Sequence, residues 1–285
     1  MKAAGTFLLL TATAAALVAL SCQPDGSRDA ARAVAPSAYL GFDRNIFPWA
    51  SALPVLRKTF AFAGYWLSPP PGETTNSWAG QRESLRSQGF GFLLLYRGPE
   101  SRELKTAEVA TKRGTADARD ATAAAKREGF PPQAFIFLDI EEGGRLPETY
   151  HAYLRAWSTG LANAGYRAGA YCSGIAVQEE PRVSIRTADD IRTHLGTLDF
   201  SYFIYNDACP PSPGCVFPPV PPLPATGGIA YAAVWQFAQS PRREFAAHCA
   251  PGYHTDGNCY APGDTAHTWF LDVSTASSPD PSNGR

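Results

Sequence analysis

No excess of either charge marks this 285-residue chain: 25 Lys and Arg stand against 26 Asp and Glu, a formal net charge of −1. A protein that tracks a phosphate backbone carries a basic stripe or patch, so nucleic acid is excluded as a partner. Histidine is scarce as well. The five histidines, His151, His194, His248, His254 and His267, form no HExxH motif and no close pair in sequence, so neither a metal nor a cofactor is expected. Long apolar runs are missing except near the N-terminus, where Phe7 to Leu20 carries no charge. That run is shorter than the roughly 20 residues a membrane span needs, and after Lys2 it reads as an export signal over residues 1–22. Its end, Val18-Ala19-Leu20-Ser21-Cys22, is similar to a bacterial lipobox. Lipidation of Cys22, anchoring the protein to a membrane of the cell envelope, is therefore expected, with ordinary secretion as the alternative. Residues 23–37 then form a polar tether.

Only six cysteines are present. With Cys22 set aside, Cys209 and Cys215 bracket one Pro/Gly-rich loop, and Cys249 and Cys259 bracket another. Both pairs are expected as disulfides in an oxidising compartment, and this is favoured over a zinc site with His248 and His254. Cys172, inside an apolar run, reads as a buried, inert thiol. Many of the 25 prolines gather between Pro210 and Pro224, which marks an extended loop rather than low complexity throughout.

What is present is a series of short apolar runs alternating with helical patterns. Strands are expected at Tyr39–Asn45, Phe62–Ser68, Phe90–Gly98, Ala134–Glu141, Tyr166–Gly174, Phe200–Asp207, Tyr231–Phe237 and His267–Ser274. Helices are expected at Trp49–Phe60, Asn76–Gln88, Glu103–Glu128, Pro147–Ala164 and Thr187–Leu195. The Glu103–Glu128 helix reads as a solvated outer helix, and Pro147–Ala164 carries the core stripe Tyr150, Tyr153, Leu154, Trp157 and Leu161. Eight strands mostly separated by helices fit one α/β domain, a (β/α)8 TIM-type barrel over residues 38–275, with irregular disulfide-stapled loops after strands six and seven. The Ser/Pro/Gly-rich residues 276–285 read as a disordered tail.

The stretch Ala134–Glu141, AFIFLDIE, is the run on which the rest is arranged. Its apolar residues suit a strand covered on both faces, and it ends in acid. Side chains alternate along a strand, so Asp139 and Glu141 share a face with their Cα atoms about 6 to 7 Å apart, while Glu142 faces the other way. Two crowded carboxyls at the mouth of an apolar barrel separate into an acid and a base, the raw material of glycoside hydrolysis. A helix cap with a surface ion pair is the alternative for this segment. Asp43, Asp207 and Asp272 also fall at or near the C-terminal ends of expected strands, where such barrels keep their chemistry. Strand eight closes against strand one, making Asp272 and Asp43 neighbours.

The order GFD at Gly41–Asp43, FLDIE at Phe137–Glu141, AGYRAGAYCSG at Ala164–Gly174, VWQF at Val234–Phe237 and FLDVS at Phe270–Ser274 resembles the family 25 glycoside hydrolases, lysozyme-type muramidases. It is more similar still to a glycoside-hydrolase-like domain of unknown function from exported actinobacterial proteins. The resemblance covers about Tyr39 to Thr275. It implies Glu141 as general acid and Asp139 as its partner in a substrate-assisted cleavage. It further implies Asp43, Asp272, Trp235 and Gln236 as substrate-binding residues, joined by Tyr96 and Tyr171, for which core packing is the alternative. The chain departs from the muramidase pattern at Asp43-Arg44-Asn45 and in the loop Cys209–Gly227, both of which bear on the cleft. The function so implied is hydrolysis or remodelling of an N-acetylated cell-wall glycan, peptidoglycan included, by a monomer. A non-catalytic glycan-binding or envelope-scaffold barrel is the alternative.

Overall fold

Residues 38–209, 220–239 and 271–285 are described by a computed structural model, with backbone alone at 207–209. Five apolar runs form the first strands: β1 (Tyr39–Asp43), β2 (Phe62–Trp66), β3 (Gly91–Arg97), β4 (Phe135–Asp139) and β5 (Arg167–Ser173). They pair in parallel, and β2 is buried along its whole length because helices cover one side and the barrel interior the other. Next comes an exposed hairpin, β6 (Val177–Glu180) and β7 (Val183–Ile185), followed by the parallel strands β8 (Phe200–Cys209) and β9 (Val234–Ala238). The last strand, β10 (Asp272–Ala276), closes the ring in the order β1-β10-β9-β8-β5-β4-β3-β2.

The closed eight-stranded α/β barrel agrees with the expectation from sequence, with one correction. β10 runs antiparallel to both its neighbours, so the ring is not the all-parallel (β/α)8 form. β9 climbs to the mouth, and β10 starts there with Asp272 and descends. Asp272 therefore opens its strand instead of ending it, yet sits directly opposite Asp43 in the β1–β10 register.

Helices α1 (Leu53–Leu56) and α2 (Arg82–Ser87) are shorter than the sequence pattern suggests, while α5 (Thr187–Leu195) has the expected bounds. The outer layer rests chiefly on α3 (Ala107–Arg127) and α4 (Glu148–Asn163). These two approach so closely at Gly114 that a Cβ there would lie 2.5 Å from the Tyr153 carbonyl oxygen. Between them Asp117, only 5% exposed, accepts from Arg113 Nε at 2.8 Å and Tyr153 Oη at 2.9 Å. One charge of the helix expected to be solvated is thus a buried clamp.

A second correction concerns the tail. β3 and β4 begin to pair only at Leu94 and Ile136, which leaves their first residues splayed apart. Residues 278–285 fill that wedge. Asp280 Oδ1 accepts from the Phe92 N–H at 2.8 Å, Ser282 Oγ from Leu94 N–H at 2.8 Å, and Ser282 donates its own N–H to the Phe92 carbonyl at 2.9 Å. The Phe135 N–H donates to the Ser282 carbonyl, and Ser282 is fully buried. A polar composition that reads as disorder supplies here the partners that splayed strand ends need. Cys172 is a buried free thiol, as expected. The Cys209 side chain and Cys22, Cys215, Cys249 and Cys259 lie outside the described residues, as do the Asp207 side chain and His248, His254 and His267.

Candidate active site

Strand register assembles the mouth. Asp43 lies opposite Asp272, Asp139 is level with Tyr171 on β5 and Arg97 on β3, and Gln236 pairs with Ser274 and Tyr205. The ring of strands therefore delivers Asp43, Asp139, Tyr171, Gln236 and Asp272 to one cavity of about 290 Å³, with Glu141 just above the end of β4. Gly64 on β2 makes room for the first of them, since a Cβ there would lie 2.4 Å from Asp43 Cβ.

Asp43 is 7% exposed and faces three other carboxyl groups. Burial is the larger cause holding its carboxyl well above the usual carboxylate range, followed by the charge of Asp272, against a lowering hydrogen bond from Gln236. That bond runs from Gln236 Nε2 to Asp43 Oδ2 at 3.2 Å, while Gln236 Oε1 accepts from Tyr171 Oη at 2.8 Å and from Gln239 Nε2 at 3.2 Å. The amide is oriented by donors on one side, so its NH2 is committed to Asp43.

The Asp139 carboxyl is also raised well above its ordinary range, by burial first and then by Glu141. Glu141 is raised too, by burial, while a hydrogen bond from Asp139 lowers it. Asp139 is the deeper of the two, 5% exposed with an Oδ2 that has no hydrogen-bond partner, whereas Glu141 is exposed at the mouth, so burial bears harder on the charged form of Asp139.

Other expectations are corrected by alternation along the strands. Trp235 points away from the cavity, donating from Nε1 to the Asn206 carbonyl at 2.9 Å and covering Gly227. Tyr96 faces the helical layer, its ring 5.3 Å from that of Trp157. The aromatic walls of the cavity are instead Trp66, Tyr171 and Phe203. Trp66 went unnoticed in the sequence. It ends β2, and its buried Nε1 has no hydrogen-bond partner. Glu142 is no bystander either: it accepts from the Ser101 N–H at 2.5 Å and from the Ser101 hydroxyl, capping the turn at Ser101–Glu103. It also lines a second cavity of about 250 Å³, with Arg97, Pro99 and Glu100, that shares Pro71, Asp139 and Glu141 with the first. The acid pair thus stands between two adjoining chambers.

A barrel whose mouth holds two neighbouring carboxyls between paired chambers has the layout a glycosidase-like site requires. The family model described as Rv2525c-like, glycoside hydrolase-like domain matches residues 60–202, half of the chain, and the chain belongs to that family. Among solved structures, the Tat-secreted protein Rv2525c of Mycobacterium tuberculosis in complex with L-tartrate is similar at 16% identity, with 86% of this chain and 97% of that chain covered and a TM-score of 0.50. An uncharacterized B. stearothermophilus protein is similar at 20% identity over 84% and 95% of the two chains, TM-score 0.48. A glycosyl hydrolase 25 of Streptococcus pneumoniae is similar at 11% identity over 83% and 86%, TM-score 0.45. No curated protein matches the chain.

Proposed function

We propose that this protein is an exported, lipid-anchored glycoside hydrolase acting on an N-acetylated cell-wall glycan such as peptidoglycan, with Glu141 as the general acid and Asp139 as its partner. The observation that carries the reading is the pairing of Asp139 and Glu141, two carboxyls both raised by burial, between two chambers. A glycan seated over Glu141 removes its water and raises its pKa, so the proton passes along the hydrogen bond from Asp139 to Glu141 and on to the leaving oxygen as the glycosidic bond breaks. Asp139 is then an anion behind the reacting carbon. It stabilises the positive charge of the sugar ring and orients the acetamido group, whose carbonyl oxygen attacks in substrate-assisted fashion before water opens the intermediate. Asp43, Asp272, Gln236 and Tyr171 form the floor that grips sugar hydroxyls, and Trp66 offers the ring face. The chamber size suits one sugar ring at a time. Family membership supports a glycosidase-like site. The N-terminal segment supports export, and its lipobox-like end supports lipid on Cys22.

Incubating the purified protein with peptidoglycan and with N-acetylglucosamine oligomers should release new reducing ends, and Glu141→Gln should abolish the release while keeping glycan affinity. Binding without release by the unaltered protein would make the barrel a glycan-binding module instead. Membrane partitioning that survives Cys22→Ser would remove the lipid anchor from the reading.

A further inference from the structure

Outside the barrel, α4 and α5 bring together four potential ligands that are far apart in sequence. Glu148 and His151 are three residues apart on the first turn of α4, and Asp190 and His194 are four apart on α5, spacings that put each pair on one helix face. Ligand atoms of Glu148, His151 and His194 all lie within 4.8 Å of one another. His151 is fully buried, and neither of its ring nitrogens makes a hydrogen bond. Its Nε2 lies 3.2 Å from Asp190 Oδ2 but out of line with it, that oxygen accepting instead from the Leu146 N–H at 3.0 Å. Asp190 Oδ1 is buried without a hydrogen bond as well: His194 Nδ1 lies 3.4 Å away but is turned to the Asp190 carbonyl, and Arg145, held by Glu179 at 3.0 Å, comes no nearer than 3.8 Å. Buried polar atoms left so cost about 1 to 3 kcal/mol per group, and a cation between them would give one His151 nitrogen and the Asp190 carboxylate a partner.

The tautomer of His194 fits the same reading. Its Nδ1 is 2.9 Å from the Asp190 carbonyl oxygen, which can only accept, so Nδ1 carries the hydrogen and donates it. Nε2 is the nitrogen left to face Glu148, 3.5 Å from its Oε1. A backbone carbonyl that fixes the far nitrogen is the usual support of a ligating histidine.

We propose that Glu148, His151, Asp190 and His194 form a site for a divalent transition-metal ion, zinc by preference, that pins α4 to α5. Two imidazoles and the Glu148 carboxylate supply three ligand atoms within reach of one another, and the Asp190 carboxylate, 3.2 Å from His151 Nε2, stands beside them as the fourth. The two rings stack with centroids 3.6 Å apart and 13° from parallel, so one ion cannot lie in both ring planes as they stand. Binding therefore includes a tilt of His194, the more exposed ring. Because Asp190 also holds Leu146, the ion would steady the segment that leads away from Glu141.

The test is calorimetric titration of Zn2+ into the chelator-treated protein beside His194→Gln and Glu148→Gln. To discount zinc taken up elsewhere, the signal is the difference: the unaltered protein should take up one more equivalent than His194→Gln and gain thermal stability on binding that His194→Gln does not. Glu148 has 80% of its side chain exposed, and its substitution should leave the fold intact and weaken that equivalent at least tenfold. Equal stoichiometry and affinity in the unaltered protein and Glu148→Gln, or no uptake at all, would overturn the site.

Discussion

At the floor of the barrel Asp280 accepts three backbone N–H bonds, from Phe92 at 2.8 Å and from Gly284 and Arg285 at 3.1 Å each. At the mouth Asp139, more deeply buried than Asp280, has an oxygen with no partner and faces a second carboxyl, Glu141. Both are aspartates beside the same two strands. The difference is in what the fold offers them: donors at the floor make a carboxylate a structural joint, while their absence at the mouth leaves a carboxyl whose proton is available for chemistry.

The largest break in that comparison is Glu141→Gln, expected to lower turnover by about 10²- to 10⁴-fold, the range of one general acid, in a reducing-end assay. Asp139→Asn should be nearly as severe in the same assay, because the carboxylate proposed to stabilise the positively charged sugar ring is lost. At the floor, truncation after Ala276 should reopen the wedge between β3 and β4 and cost about 4 kcal/mol in urea unfolding, with Asp280→Ala alone costing about half of that.

Stability should move the other way at the mouth. Asp43 and Asp139 ionise in the unfolded chain near the ordinary 3.8 and in the folded chain well above it. The folded state then holds more protons between those limits, so stability falls as pH rises from about 4 until the folded groups ionise, and none is lost below. Asp43→Asn and Asp139→Asn should flatten that slope and stabilise the protein at pH 7 by about 1 to 2 kcal/mol, read as a higher thermal midpoint. The smallest effect belongs to Glu142→Gln. It weakens the two bonds to Ser101 and should cost about 1 kcal/mol in unfolding, while activity per folded molecule is unchanged.

The sequence made the mouth legible because buried strands read as apolar runs that end in acid, and Asp43, Asp139, Tyr171, Gln236 and Asp272 do converge there. Trp235 and Gln236 are adjacent on one strand and cannot both face inward, so the placement of Gln236 already turned Trp235 outward. Tyr96 is level with Leu138 and not with Asp139, a relation that only the β3–β4 register supplies. The direction of β10 is invisible in its own residues, since alternation reads the same upward and downward. The unequal burial of Asp139 and Glu141 is a matter of depth, which no spacing encodes. Likewise the contact of His151 with His194 exists only because α4 and α5 pack side by side.

The reversed β10 has one more consequence. Tyr39 and Ala276 are partners in the β1–β10 ladder, at the end of the barrel opposite the acids. The polypeptide therefore enters and leaves the ring of strands through one face, and the two chambers open on the other, so the connections that begin and end the ring stay clear of the acids.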